Sequence, residues 1–431
     1  MRDRNGLTAS FWMLWGGSTA TNLGDGIRLV ALPLLAVQLT DDPAQIALVT
    51  VFTYLPALLF GPIAGVLVDR ANKRNLIAWA HVARSVVLAV VAVSIWTDTM
   101  TMGLLCLAAL GYGIGESVAD PAAHAFLPLL VPRASLGAAN SRLQSGQIVG
   151  EMFVGRAAGG ILFMVGQPLP IVVNVGLLAA ASLITLRIRK DDSAVGASPT
   201  PGRANFWSEL AAGVVAVGRS GLLVGMSIVL AIWAGASGAF WGVAAVYALS
   251  ELNSGPSGFG IMLAVSAIGS LAGATLAIPI VKRFGAATTT LLAIALSGGS
   301  ILALAWADNV LVASALLAVN GFAVVNWNVI STTIRQTVVP QEILGKVSST
   351  YRVLATATMP LGAGLAGIGA ASFGTPMVFL VSGAAILATG LLLLPGLWPA
   401  LARLWPPGAS SAIEREPSST EQWYESRSER C

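Results

Sequence analysis

Twelve times along this chain an apolar run long enough to cross a bilayer ends in a short polar break. The runs fall at residues 11–38, 44–68, 75–97, 100–120, 138–166 and 168–188, then at 221–249, 257–281, 286–306, 309–334, 345–372 and 375–398. A helix needs about 20 apolar residues to span the hydrocarbon core. The runs are continuously apolar and do not alternate, which excludes a membrane β-barrel. Of 431 residues, 10% are charged and 55% are hydrophobic, whereas soluble domains carry about 25% charged residues. No soluble fold of this length hides so much apolar side chain. The prediction is an all-α integral membrane protein with twelve spans. Its 47 glycines and 21 prolines agree, because membrane helices accept both more readily than soluble ones.

The remaining charges are sorted by loop. One set of loops holds Arg70, Lys73, Arg74, Arg133, Arg187, Arg189, Lys190, Arg203, Arg219, Lys282, Arg283 and Arg335, with Lys346 opening the eleventh run. The alternate set holds Asp41, Asp42, Asp98, Glu251 and Asp308 and no Lys or Arg. Basic loops stay in the cytoplasm, so both termini are predicted to be cytoplasmic. The net charge of +4 is therefore an orientation signal, and no nucleic-acid partner is expected. Asp25 and Arg28 interrupt the first run, which reads as a retained helix and not as a signal peptide. Cys106 lies in an apolar run and Cys431 is the last residue, so no disulfide framework is expected.

The second half echoes the first at an offset of 208. Gly61 and Gly65 match Gly269 and Gly273, Val131-Pro132 matches Val339-Pro340, and Leu136-Gly137 matches Leu344-Gly345. Two parallel six-helix repeats follow: an N-terminal bundle over 1–188 and a C-terminal bundle over 221–398. Between them lies a cytoplasmic linker, 189–220, in which a short helix begins near Phe206. A polar, Pro/Ser-rich tail over 399–431 is expected to be disordered. In such repeat transporters the substrate site lies near the bilayer midplane between the halves.

The loop after the second run carries Gly61, Gly65, Asp69, Arg70, Lys73 and Arg74 in a G-x-x-x-D-R-x-x-K-R pattern. It resembles the loop between helices 2 and 3 of the major facilitator superfamily of secondary transporters. Asn22-Leu-Gly-Asp25, Arg335-Gln-Thr-Val-Val-Pro340 and Pro360-Leu-Gly-Ala-Gly-Leu-Ala-Gly367 resemble its twelve-helix drug:proton antiporter branch, which includes enterobactin and macrolide efflux proteins. The resemblance implies alternating access, a small-molecule substrate and coupling to protons. It implies a multi-pass protein of the bacterial plasma membrane, and a monomer is expected. The same fold serves importers of small metabolites, and a non-transporting sensor or assembly protein is a third reading. One departure stands out: where exporters of the superfamily often carry Gly-Pro-x-x-Gly-Gly, this chain has Gly155-Arg156-Ala-Ala-Gly159-Gly160.

A charge inside the bilayer costs about 2.5–3.5 kcal/mol on the insertion scale, so each one within a span is a functional candidate. Glu116, Glu151 and Asp25 are the candidate proton-coupling acids. Arg28, Arg84, Arg142, Arg156 and Arg352 are candidates for ion pairing or substrate contact. Asp25 and Arg28, three apart, share a helix face, roughly 20 Å along the first span. Asp120, read at the cytoplasmic end of the fourth run beside Pro121, is expected to latch onto Arg74 or Arg70. Asp69 is expected to face the N-terminus of the eleventh span, where the helix dipole favours an anion. Trp233, Phe240, Trp241, Asn320, Asn326, Trp327 and Asn328 are the candidate lining of an apolar substrate cavity with few polar anchors. The Gly-rich phosphate loop of ATPases is absent, so ATP is not the direct energy source. With two histidines and two cysteines widely scattered, neither a metal site nor any other cofactor is expected, and no enzyme motif is present.

Overall fold

The computed structural model describes residues 7–132, 135–188 and 206–409. Among them there is no strand. The first six spans are α1 (Ala9–Leu39), α2 (Pro43–Arg70), α3 (Lys73–Trp96), α4 (Met102–Leu130), α5 (Leu136–Val165) and α6 (Leu169–Leu186). A short helix in the linker, α7 (Phe206–Gly218), precedes α8 (Gly221–Glu251). The stretch Gly255–Trp306 is 52 residues of nearly continuous helix, about 78 Å if straight and too long for one crossing. It breaks at Gly285, whose φ of +78° and ψ of 164° are not helical. Glycine, lacking Cβ, takes that left-handed backbone without strain. We label the two parts α9 (255–284) and α10 (286–303). The last spans are α11 (Val310–Val338), α12 (Gln341–Phe373) and α13 (Thr375–Leu404).

Polar residues set where the spans begin. The side chains of Thr8, Asp42, Asn72, Thr101, Ser220 and Asn309 each accept a hydrogen bond from a backbone N–H of the first turn that follows. These donors have no partner within the helix and must be satisfied where water is scarce.

The chain reverses at Gly285. A Cβ at Gly258 would lie 3.5 Å from Val310, and one at Gly269 or Gly273 would strike the backbone of Ala318 or Phe322. The helices α9 and α11 therefore run in the same direction, with α10 returning between them. Among the described residues, the basic loops consequently lie at one end of the molecule and the acidic ones at the other. At the basic end Thr8 donates to Leu130 O at 2.8 Å, Arg74 donates to Leu186 O, and Ala286 N donates to Trp405 O at 2.9 Å. At the acidic end Thr375 donates to Glu251 Oε1 at 2.5 Å.

Helices α1–α6 pack on one another, as do α8–α13, and the two bundles meet along their acidic-end halves. Gly160 of α5 would place a Cβ 3.0 Å from Gly260 Cα of α9. Gly367 of α12 abuts Ala44 and Ala47 of α2, and Gly364 faces Val51. The basic-end half of α2 is uncovered instead. A Cβ at Gly61 or Gly65 would meet nothing within 4 Å, and Val66 and Leu67 are exposed. In this conformation neither glycine is in close contact with another helix.

Several boundaries differ from expectation. Helix α4 does not stop near residue 120 but runs through Pro121 and Pro128 to Leu130. Helix α12 begins at Gln341, four residues earlier than expected. Residues 399–409 are not a disordered tail. Helix α13 continues to Leu404, and Leu401, Leu404 and Trp405 are buried. The linker stretch 189–205, Arg133 and residues 410–431 lie outside the described residues.

Candidate functional site

Two arginines and two carboxylates meet inside the first bundle. Asp25 and Arg28 point from one face of α1 toward α3 and α4, as their three-residue spacing predicts. Asp25 does not take Arg28 as its main partner, since that contact is 4.0 Å. It is held by Arg84 of α3, which donates to Oδ1, and by the hydroxyl of Tyr112 of α4 at 2.7 Å. Arg84 also donates to the Tyr112 hydroxyl at 2.7 Å. Arg28 reaches instead to Glu116 of α4, 2.9 Å away. The Tyr112 ring is stacked by both guanidinium groups, at 4.3 Å from Arg28 and 4.2 Å from Arg84.

The set is formally neutral. Within the bilayer each charge is costly unless paired, so these four make sense only together. Asp25, Arg28, Arg84 and Tyr112 are buried. Glu116 differs: its side chain is 33% exposed. It is the more exposed of the two acids of the network.

A second pair lies on α5, where Glu151 sits 3.8 Å from Arg156. This part of α5, Ile148–Gly155, is a wide π-helical turn. The backbone there presses on α1, with Gly155 2.8 Å from Gly26 Cα as measured from its would-be Cβ. The irregular turn sits immediately before Arg156, the position at which exporters of the superfamily often have proline. Arg156 lies over the Trp241 ring of α8, 4.7 Å from its centroid. The Trp241 carbonyl accepts from Thr50 of α2 at 3.1 Å. Trp241 is thus clasped from two helices of the opposite bundle at the closed acidic-end half. Trp241→Leu removes the stacked face and is expected to loosen this seal by about 0.5–2 kcal/mol. The check is faster labelling of a Leu29→Cys variant by an impermeant maleimide added on the acidic side, since Leu29 borders Trp241.

Other candidates fall elsewhere. Asp120 makes no hydrogen bond or ion pair among the described residues, so the expected latch to Arg70 or Arg74 is absent. The reason is the length of α4: Asp120 lies ten residues before Leu130, about 15 Å from the basic end. Arg74 spends its guanidinium on Leu186 O, Lys73 Nζ donates to Asp69 O at 3.3 Å, and Asp69 and Arg70 are exposed. Among the described residues the Asp69 carboxylate makes no hydrogen bond or ion pair with the start of α12. Arg142 lies over Trp12, 5.2 Å away, and pairs with neither glutamate. Arg352 is exposed on α12, within electrostatic range of His124 of α4.

Of the expected cavity lining, Trp233 and Phe240 belong to packed cores. Trp233 stacks on Trp327 at 5.6 Å, and Phe240 packs on Phe379 at 6.3 Å. Asn326 is buried and donates to Phe322 O within its own helix. Asn320 donates to Ser297 of α10 at 2.8 Å, Asn328 is exposed, and Trp241 is half-buried. The residues that sequence reasoning missed are Tyr112 and His81. Each lies within one helical turn of a charged in-span residue, Glu116 and Arg84 respectively, and that spacing was the available signal.

Residues 7–403 match the family described as transmembrane secretion effector. The chain belongs to that family of major facilitator superfamily transporters. The secretion-effector match spans both bundles and the linker between them. Macrolide efflux protein A of Streptococcus pyogenes is 22% identical over 91% of this chain and 97% of its own length. Among solved structures, a mutant of the nucleoside transporter NupG superposes with a TM-score of 0.72 at 13% identity, covering 90% of this chain and 99% of that one. A bacterial homologue of the iron transporter ferroportin, in an inward-facing state, gives 0.71 at 16% identity, covering 90% and 98%. These likenesses establish the fold. The protein is a multi-pass membrane transporter and not an enzyme.

Proposed function

We propose that this transporter exports a bulky, amphipathic small molecule, of the drug, antibiotic or siderophore kind, in exchange for protons. The observation that carries the reading is Glu116. It is a carboxylate inside a span, paired with a buried arginine, and itself partly exposed. An acid so placed can give up its arginine when protonated and take it back when deprotonated, while substrate enters and leaves beside it. The efflux relative, matched end to end, supports the direction. With the basic end in the cytoplasm of a bacterial cell, both termini are inside. The conformation described, sealed at the acidic end, then faces inward. The partners are the substrate, protons and the bilayer, and the protein works as a monomer.

Expression in a macrolide-sensitive bacterial host tests this. Wild-type protein is expected to raise erythromycin tolerance and lower its accumulation, and Glu116→Gln is expected to abolish both while leaving the protein in the membrane. Asp25→Asn is expected to weaken export. Efflux unchanged in both variants would remove the coupling roles.

A further inference from the structure

One helical turn closer to the basic end than the charged network lies a second polar space, within the first bundle only. Thr21 and Asn22 of α1, His81 of α3, Asp120 and His124 of α4 and Gln147 of α5 wall it. Its volume is about 30 Å³. One water needs some 10–15 Å³ on that measure and two to four polar partners, so the space holds about two waters. His81 is 4% exposed and its Nδ1 has no hydrogen-bond partner. The half-buried Asp120 carboxylate has no hydrogen bond or ion pair among the described residues. Buried polar atoms in native proteins are satisfied by protein or by ordered water, which for His81 Nδ1 leaves water in this chamber.

The register of three helices joins this chamber to the charged network. Asn22 precedes Asp25 by three residues on α1, His81 precedes Arg84 by three on α3, and Asp120 follows Glu116 by four on α4. Residues three or four apart are neighbours on a helix face. Each helix thus contributes one wall residue and, a turn away, one network residue. Asp25 and Arg84 act electrostatically on His81, and Glu116, Asp25, Arg84 and Glu151 on Asp120. The mouth of the chamber is at His124, which is exposed and faces the charge of Arg352 from the other bundle.

We propose that this chamber is a hydrated proton port, through which Glu116 exchanges protons with the basic-end solution by way of Asp120 and the water between them. The inference rests on the proton-antiport reading above. A proton leaving the Glu116 carboxyl passes to the Asp120 carboxylate and from there through water to solution. Glu116 is then the carboxylate that Arg28 pairs with. A bulky molecule in the gap covers the exposed side of Glu116, and the port gives protons a route that the substrate does not block. Because Arg352 of α12 faces the mouth, closing the basic-end gap covers it as well, so protons and substrate are gated together.

The chain has two histidines, which makes the chamber directly observable. In full-length protein labelled with [15N]histidine and held in lipid nanodiscs, His124→Gln leaves the His81 signal alone. That signal is expected to show magnetisation transfer from water, and to lose it in Ala119→Leu, which fills the chamber from its wall. The transport role is read with saturating erythromycin, which covers the exposed side of Glu116, by infrared detection of the carboxyl band after a jump to low pH. Glu116→Gln identifies the Glu116 component. Its rise is expected to slow roughly tenfold or more in Ala119→Leu and in the near-isosteric Asp120→Asn, a barrier change of at least ~1.4 kcal/mol. A dry His81, or an unchanged rate in Asp120→Asn, overturns the port while leaving antiport intact. Absence of the Glu116 band in wild-type protein removes the antiport reading, and the port with it.

Discussion

Gly160→Leu is expected to trap the transporter open toward its acidic end. The Cα of Gly260 lies 3.0 Å from where a Cβ on Gly160 would sit, and the Pro256 carbonyl is 3.2 Å away. Both are backbone atoms, which cannot swing aside as a side chain can. Overpacking of this kind costs about 1–3 kcal/mol or more. The cost falls only on the state in which α5 and α9 touch, so the equilibrium shifts away from that state by roughly tenfold to a hundredfold. A cysteine at the exposed position 328, in a Cys106→Ser, Cys431→Ser background, reports the opening at the basic end. Its labelling is expected to fall in Gly160→Leu, together with export.

The mirror substitution is Gly65→Leu. Nothing lies within 4 Å of a Cβ there, so the conformation described accepts leucine without strain. If α12 closes against this face of α2 in the opposite state, leucine obstructs that closure alone. Labelling at position 328 is then expected to persist while export is lost. Equal labelling in the two glycine variants would sink the idea that the bundles rock about the midplane with two alternative glycine contacts.

What could be read from the chain and what could not divide along physical lines. The span count and the two charged ends are local properties of runs and loops, and both were legible. So was the rarity of Asp25, Arg28, Arg84 and Glu116 within apolar helices. Their pairing was not, because Arg84 meets Asp25 across 59 positions and Arg28 meets Glu116 across 88. Such distances are bridged by how each helix is rotated in the bundle, which periodicity alone leaves free. Asp120 was misplaced for a different reason. Pro121 reads as a helix end by soluble-protein rules, whereas a span in lipid cannot leave its backbone unpaired and continues through proline when neighbours support it. Trp233 and Phe240 show the same limit in apolar residues: core, lipid face and cavity share one composition, and packing decides among them.

The buried network makes the second large prediction, on stability. Arg84→Leu leaves Asp25 with Tyr112 and the distant edge of Arg28, 4.0 Å away. Asp25→Leu leaves Arg84, which is fully buried, without its counter-ion. Removing one partner of a buried pair costs about 3–5 kcal/mol, because the other charge stays desolvated and unpaired, whereas replacing both by apolar groups is often close to neutral. Each single variant is therefore expected to reach the membrane at much lower yield and to unfold at lower temperature. The double variant, Asp25→Leu with Arg84→Leu, is expected to recover most of the lost stability, since Arg28 and Glu116 remain a neutral pair by themselves. Thermal unfolding followed by size-exclusion chromatography of the purified proteins measures all three. A double variant no more stable than the singles would mean that the two charges are not each other's main support. In that event Tyr112, which donates to Asp25 and stacks under both arginines, is the residue that holds the site together. Tyr112→Phe, which deletes the hydroxyl and keeps the ring, would then be the more destabilising change.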